Sequence, residues 1–342
     1  MKKVRLGKSG LEVSKVGFGG IPIQRVSEEE AVAVVRRAID LGVNWIDTAN
    51  GYGTSEERIG KAIGKYKREE LILSSKSPEK DADKFRANFE LSLERMGVEY
   101  LDIFHFHFVR DAEDWRQMVE GGVVGEMLRL RDAGLVRHVA ASSHNVDAIL
   151  AVMDHEAIEI VQWPFNFIED RDAIRVLEKC ETNDIGFIAM KPFGGGMLGD
   201  ASAAIRFLMQ FEQAAADPGF ETIEQVEEVV AIAEEAGRLS GRDIEAIARI
   251  KEELDRRFCR RCGYCGPCEQ GVNIILLMEM ESISKRVAVE QFLGEQFAAA
   301  SESVRNCTLC GVCETKCPYS LPIREIIRHG KEYYDRFRDE HS

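Results

Sequence analysis

Eight of the nine cysteines in this 342-residue chain fall between positions 259 and 317, in two runs. Cys259, Cys262, Cys265 and Cys268 follow C-x2-C-x2-C-x2-C; Cys307, Cys310, Cys313 and Cys317 follow C-x2-C-x2-C-x3-C, with Pro318 directly after. Two-residue spacers let a chain curl round an iron–sulfur cubane and aim its N–H groups at the sulfides, and the second run has the spacing of bacterial cluster ligation. Eight thiolates suffice for two [4Fe–4S] clusters. If three close thiolates serve one cluster and the fourth crosses to the other, Cys259, Cys262, Cys265 and Cys317 hold the first. Cys307, Cys310, Cys313 and Cys268 then hold the second. Two structural zinc sites or a disulfide framework are the alternatives. Zinc asks for C-x2-C pairs separated by a loop, and a cytosolic chain keeps its thiols reduced. Glu269 stands where a proline would follow the first run, so Cys268 is its least regular member. Cys180, alone, reads as a small buried hydrophobe.

A second set of residues has acid–base chemistry: Asp47, Tyr52, Lys76 and His107. A tyrosine ordinarily titrates near about 10, and a lysine ammonium beside it favours the phenolate. Asp47 would hold and neutralise Lys76. Tyr52 would protonate a carbonyl oxygen as hydride reaches its carbon, with His107 orienting that oxygen. Taken singly, each has a plainer role, as a helix cap, a surface lysine or a structural histidine. Their common placement gives them weight.

That placement follows from the elements. Eight β-branched or apolar runs precede helix-period segments: KVGFGG (15–20), NWIDTA (44–49), LILSSK (71–76), LDIFHFH (101–107), HVAASSH (138–144), IVQWPFN (160–166), GFIAMKP (186–192) and AAADPGF (214–220). Ser27 and Glu30 predict a capping box ahead of Ala31, Val34, Val35 and Ala38, and Thr54 with Glu57 predicts another. Phe85, Phe89, Leu93 and Met96 line a third helix. Eight such units in about 240 residues predict an α/β fold of the (β/α)8 TIM-barrel type, with a doubly wound open sheet as the rival. In a barrel, strand C-terminal ends carry the chemistry, and there Asp47, Lys76 and His107 stand, with Tyr52 just beyond the first. KKVRL and LEVSKV read as a hairpin able to plug the barrel bottom. After Gly237, GRLSGRD reads as a linker to a helix with Ile244, Ile247, Ile250 and Leu254. A second helical stretch at roughly 274–300 separates the cysteine runs. The division is thus a barrel over 1–237 and a small, mainly helical C-terminal iron–sulfur domain over 243–342.

Composition limits the partners. The formal charge is −14, from 59 carboxylates against 45 Lys and Arg, with no basic block. Nucleic-acid binding needs cations to displace counterions, so none is expected. No run of about 18 apolar residues occurs and MKKVRLGKSGLEVSK lacks an apolar signal core, so no membrane partner and a cytoplasmic location are expected.

The segments GFGG, NWIDTANGYGTSEERIG, LILSSK and YLDIFHFH resemble the aldo/keto reductase family, from about residue 3 to 232. FCRRCGYCGPC resembles the subgroup with a C-terminal ferredoxin-type 4Fe–4S domain. The resemblance implies a nicotinamide dinucleotide bound without a Rossmann motif, and a tetrad of Asp47, Tyr52, Lys76 and His107. It places the carboxamide on Ser142, Ser143 and Gln162, with Asn166 structural. Met190 stands where relatives stack an aromatic, so the stack is weaker or Phe193 supplies it, and phosphates fall near Lys191 to Gly196. At the adenosine end it implies Glu221, Gln225 and Glu228, with Val229 where relatives carry Asn. Glu221 would repel a 2′-phosphate and accept from a ribose hydroxyl, which favours NAD(H) over NADP(H). Strand eight is poor in β-branched residues. The expected substrate is a small carbonyl or alcohol, walled by Trp163, Phe108 and Ile21 or Ile23, and a redox protein is a further partner. The alternative is an electron-transfer subunit whose barrel is a scaffold.

Overall fold

The computed structural model describes residues 1–341 other than Ala236 and Asp255. A hairpin, β1 (Lys3–Arg5) and β2 (Glu12–Ser14), comes first. Eight parallel strands follow: β3 (Phe18–Gly19), β4 (Trp45–Asp47), β5 (Ile72–Ser77), β6 (Leu101–Val109), β7 (Val136–Ser143), β8 (Ile160–Pro164), β9 (Gly186–Met190) and β10 (Ala214–Asp217). They pair in sequence order from β3 to β10. Parallel bridges Val16–Ala216 and Gly19–Gly219 bring the last strand back to the first, so the sheet closes into the expected barrel.

Side chains alternate between the two faces of a strand, so residues two apart share the barrel interior. At the N-terminal end the interior holds Trp45, Ile103, Ala140, Ile160, Ile188 and Ala215, and Val4, Leu6 and Val13 of the hairpin pack on them. Two residues further along the same strands, that face carries Asp47, His105, Ser142, Gln162, Met190 and Asp217. One step of the alternation turns an apolar plug into a polar floor.

Ser27 and Glu30 form the expected capping box on the helix Glu28–Asp40. Thr54 does not repeat it: its backbone, at φ −88° and ψ 5°, is not extended, and its side chain makes no cap bond. Glu57 pairs with Arg95 at 3.5 Å instead.

The linker is shorter than expected. Ser240 and Asp243 exchange cap bonds at the start of a helix, Gly241–Leu254. Its Ala246 and Ile250, with Phe258, pack against Phe167, Leu198 and Ala203 of the barrel, while Ile244 points outward. The stretch between the cysteine runs breaks into Ile274–Ser284, Val289–Phe292 and Glu295–Ser303. A last helix, Ile323–Glu340, crosses Ile274–Ser284 with Gly330 against the Leu277 carbonyl, where a Cβ would not fit. Leu277, Met280, Phe292, Ile323 and Ile327 form this domain's core.

Candidate active site and cysteine runs

At the C-terminal rim Lys76 is buried and donates to Asp47 Oδ2 and, at 2.7 Å, to the Thr48 carbonyl. Asp47 also accepts from Ser74 Oγ at 2.7 Å and Gln162 Nε2 at 3.0 Å. Burial opposes ionisation of Asp47, yet Lys76 and His105 hold its carboxyl below the usual range. Lys76 Nζ lies 5.4 Å from the centre of the Tyr52 ring. Tyr52 meets His107 edge-on, ring centroids 5.7 Å apart. The four tetrad residues therefore meet, from three different strands and one loop.

One expectation is corrected. Lys76 does favour the phenolate of Tyr52, but burial outweighs it and raises the phenol above its ordinary value. Burial also pushes His107 down to about 3, so its ring is neutral at physiological pH. His105, two residues deeper on the same face, is likewise held near about 3 and hydrogen-bonds Ser74 Oγ at 3.0 Å.

Asp47, Tyr52 and His107 line a cavity of about 640 Å³, as do Ser142, Gln162 and Met190. The same cavity continues past Lys191 and Phe193 to Glu221, Gln225 and Glu228. Ser143 is not among its walls: alternation turns it away, and its hydroxyl donates to the Val109 carbonyl at 2.6 Å. Trp163, next to Gln162, is turned away for the same reason and faces a separate small hollow. Ile21 and Phe108 do line the cavity, whereas Ile23 is fully buried. Asn166 is structural, its side chain bonded to Glu169 and the Lys191 carbonyl. Phe108 and Lys191 hold left-handed backbones at φ 59° and 58°, a strain that clusters at functional sites.

Several cavity residues lay outside the sequence-level expectations. Asp217, ending β10, shares Gln162 Nε2 with Asp47, at 2.8 Å. His144 Nε2 lies 2.9 Å from Lys191 Nζ. Arg261 and Arg286 reach in from the cluster domain. Arg261 is buried between Glu169, at 2.9 and 3.1 Å, and Glu279, at 3.0 Å. The segment carrying Arg286 spans the mouth: Ser282 Oγ donates to the Gly195 carbonyl at 3.1 Å and Gln24 Nε2 to the Arg286 carbonyl at 3.2 Å.

The two cysteine runs share a backbone turn. Arg261 and Leu309 are left-handed before the second cysteine of each run, and Gly263 and Gly311 after it. Such turns aim successive N–H groups inward, and the Arg261 N–H donates to Cys259 Sγ at 3.4 Å. Cys259, Cys262, Cys265 and Cys317 surround one small hollow. A cubane takes one thiolate per iron, and four thiolates around one hollow are a donor set of that kind. Ile275 borders both the hollow and the large cavity. All nine cysteines are free; Cys180 is buried and Cys310 exposed.

Residues 15–249 match the model of the aldo/keto reductase family, and residues 258–322 match that of a 4Fe-4S dicluster domain. L-galactose dehydrogenase of Arabidopsis thaliana is 28% identical over 211 residues, 56% of this chain and 66% of that protein. NADH-specific methylglyoxal reductase of Escherichia coli is 25% identical over 231 residues, 58% of this chain and 69% of that protein. The chain spans 61% to 66% of the length of three curated relatives that it matches, L-galactose dehydrogenase among them. The fold superposes on the holo form of an aldo-keto reductase from Bacillus halodurans with a TM-score of 0.63, at 21% identity over 73% of this chain and 96% of that one. An aldo-keto reductase from Klebsiella pneumoniae in complex with NADPH gives 0.61 at 22% identity, over 73% and 94%. With the barrel, the rim and the cysteine runs in place, the chain belongs to the aldo/keto reductase family and carries a 4Fe-4S domain after its barrel.

Proposed function

We propose that the protein is an oxidoreductase whose barrel reduces a small carbonyl compound with a bound nicotinamide dinucleotide. Two [4Fe–4S] clusters in the C-terminal domain serve electron transfer. The observation that carries this reading is the meeting of Asp47, Tyr52, Lys76 and His107 at one end of a cavity that continues to Glu221 and Glu228. When bound, the nicotinamide supplies hydride and each cluster passes single electrons.

Tyr52 gives its phenolic proton to the carbonyl oxygen, and neutral His107 holds that oxygen by a hydrogen bond. Asp47 fixes Lys76, whose charge favours the phenolate that remains. Gln162 spends its amide N–H groups on Asp47 and Asp217, so its carbonyl is left to accept from the carboxamide beside Ser142. Met190 and Phe193, both on the cavity wall, would cover the nicotinamide ring. Lys191, half-buried and bonded to neutral His144, is pushed well below its ordinary value by desolvation, and a diphosphate there would restore its charge. At the adenosine end Glu228 and Gln225 face the cavity. The side-chain carbonyl of Gln225 closes the capping box of its own helix, Ile223–Glu234, and accepts from the Glu221 N–H at 2.8 Å, which leaves its amide to donate. Glu221 pairs with Arg25 at 2.7 Å, and Arg25 also donates to the Ser284 carbonyl. That arginine is already engaged, which supports NAD over NADP.

The first cluster takes Cys259, Cys262, Cys265 and Cys317, beside the cavity. The second takes Cys268, Cys307, Cys310 and Cys313, where exposed Cys310, Leu309 and Val312 suit a docking redox protein. A reducing cytosol suits nine free thiols. The test is Tyr52→Phe in anaerobic, cluster-loaded protein with NADH and a small aldehyde. Turnover is expected to fall by roughly 10²- to 10⁴-fold with the iron–sulfur absorbance intact. Unchanged turnover would return the barrel to a scaffold.

A further inference from the structure

Asp217 ends β10 on the cavity floor, more than nine-tenths buried. Its Oδ2 accepts from Gln162 Nε2 at 2.8 Å, and its Oδ1 is buried with no hydrogen-bond partner. That oxygen lies over Gly19, where an added Cβ would approach to 3.1 Å, so the glycine makes room for it. The neighbouring carboxyl, Asp47, accepts from the same Gln162 Nε2 at 3.0 Å, so the two carboxyls share one donor. Two carboxylates this close, in a buried floor with one shared amide donor, do not both ionise. Asp47 is the one held charged, by Lys76, so the proton resides on Asp217.

Resting on the proposed carbonyl reduction, we propose that Asp217 stores a proton on the cavity floor and returns it, through Asp47 and Lys76, to the phenolate left on Tyr52. The balance closes. Hydride from the dinucleotide bonds to the carbonyl carbon while the Tyr52 Oη–H bond breaks and its proton bonds to the carbonyl oxygen. Lys76 then gives a proton to the phenolate and regains one from Asp47, which takes that of Asp217. Asp217 is left as a carboxylate, and solvent reprotonates it when the cavity opens to release product. The groups that face it are Asp47 on β4, Lys76 on β5, Gln162 on β8 and Tyr52 on the loop after β4. Burial and the charge of Asp47 raise the Asp217 carboxyl well above the usual range, against the opposing pull of Lys76. A phenol that burial makes a weaker acid leaves a stronger base behind, which gives the return of the proton its driving force.

Infrared spectroscopy of the cluster-loaded full chain tests the stored proton without any turnover. A carboxylic-acid carbonyl band that shifts in D2O is expected at neutral pH, lost in Asp217→Asn and kept in Tyr52→Phe. No such band, or one that survives Asp217→Asn, overturns the proposal even if carbonyl reduction is confirmed. With substrate, Asp217→Asn is expected to slow steady-state turnover on the order of tenfold while slowing the first turnover much less. It should also lose the fall in turnover that the parent shows as pH rises through the Asp217 titration, and Asp217→Glu should restore it. Equal slowing of first and later turnovers, with the pH profile unchanged, would make Asp217 a structural residue only. If the parent reduces no carbonyl but the infrared band is present, the reaction has been misassigned and the stored proton stands.

Discussion

Both ends of this barrel are closed, by opposite chemistry. At the bottom the hairpin presses Val4, Leu6 and Val13 onto Trp45, Ile103, Ile160 and Ile188. At the top the cluster domain lays Arg261, Glu279 and Arg286 over a floor of Asp47, Gln162 and Asp217. The bottom is filled and stabilising, because apolar area leaves water. The top keeps a cavity and buries charges whose desolvation offsets much of their attraction, so its ion pairs do little for stability. What they do is hold Arg261, which stands between Cys259 and Cys262, against the wall of the cavity. The contrast shows how one barrel separates its stability from its chemistry by two residues of strand.

The largest expected effect separates the two ends directly. Arg261→Leu leaves Glu169 and Glu279 buried without their shared guanidinium, and should destabilise the protein by about 4 kcal/mol in anaerobic urea unfolding. Adding Glu169→Gln and Glu279→Gln should recover most of that loss, since the cost is uncompensated charge rather than lost volume. A single variant as stable as the parent would mean that water or Arg286, 3.5 Å from Glu279, already satisfies the acids.

At the bottom, Leu6→Ala removes a fully buried side chain from a filled plug and should cost about 3 kcal/mol. Here kcat and KM should stay at the parent values, because the apolar layer lies below the polar floor. If KM for the dinucleotide rises with it, the plug and the site are mechanically coupled and the division by layer fails.

The same layering explains what was legible in the sequence. The eight strands and the tetrad could be read because apolar, β-branched runs and the rule of C-terminal strand ends both act locally. Asp217 also ends a strand, but Ala214, Ala215 and Ala216 before it carry little strand signal, so the segment drew no attention to its acid. Resemblance puts Ser143 in the cavity and position along the chain puts Trp163 there, whereas alternation beside Ser142 and Gln162 turns both outward. Arg261 was hidden by its position, since a residue between Cys259 and Cys262 reads as a spacer. Its partners Glu169 and Glu279 lie 92 and 18 residues away, on a barrel loop and a cluster-domain helix, and only the packing of one on the other brings them together. Thr54 failed as a cap because a capping residue must be extended, a backbone property its neighbours decide.

The smallest effect concerns a charge buried at the bottom. Lys15 follows the hairpin and donates to the carbonyls of Phe211, Glu212 and Ala214 at the rim below β10. Burial, helped by Lys2 and partly opposed by Glu212, lowers it to about 8 in the folded protein. Below that pH the lysine is protonated in both states and contributes no slope. Between about 8 and the ordinary lysine value the unfolded chain still binds the proton while the native protein releases it, so stability rises with pH. The slope is at most about 1.4 kcal/mol per pH unit. Unfolding midpoints measured from pH 7 to 10 should show that rise in the parent relative to Lys15→Met, which has no group to titrate there. Parallel pH curves would mean that the three carbonyls keep the ammonium charged, and that even the plugged end of the barrel holds a charge as securely as the open one.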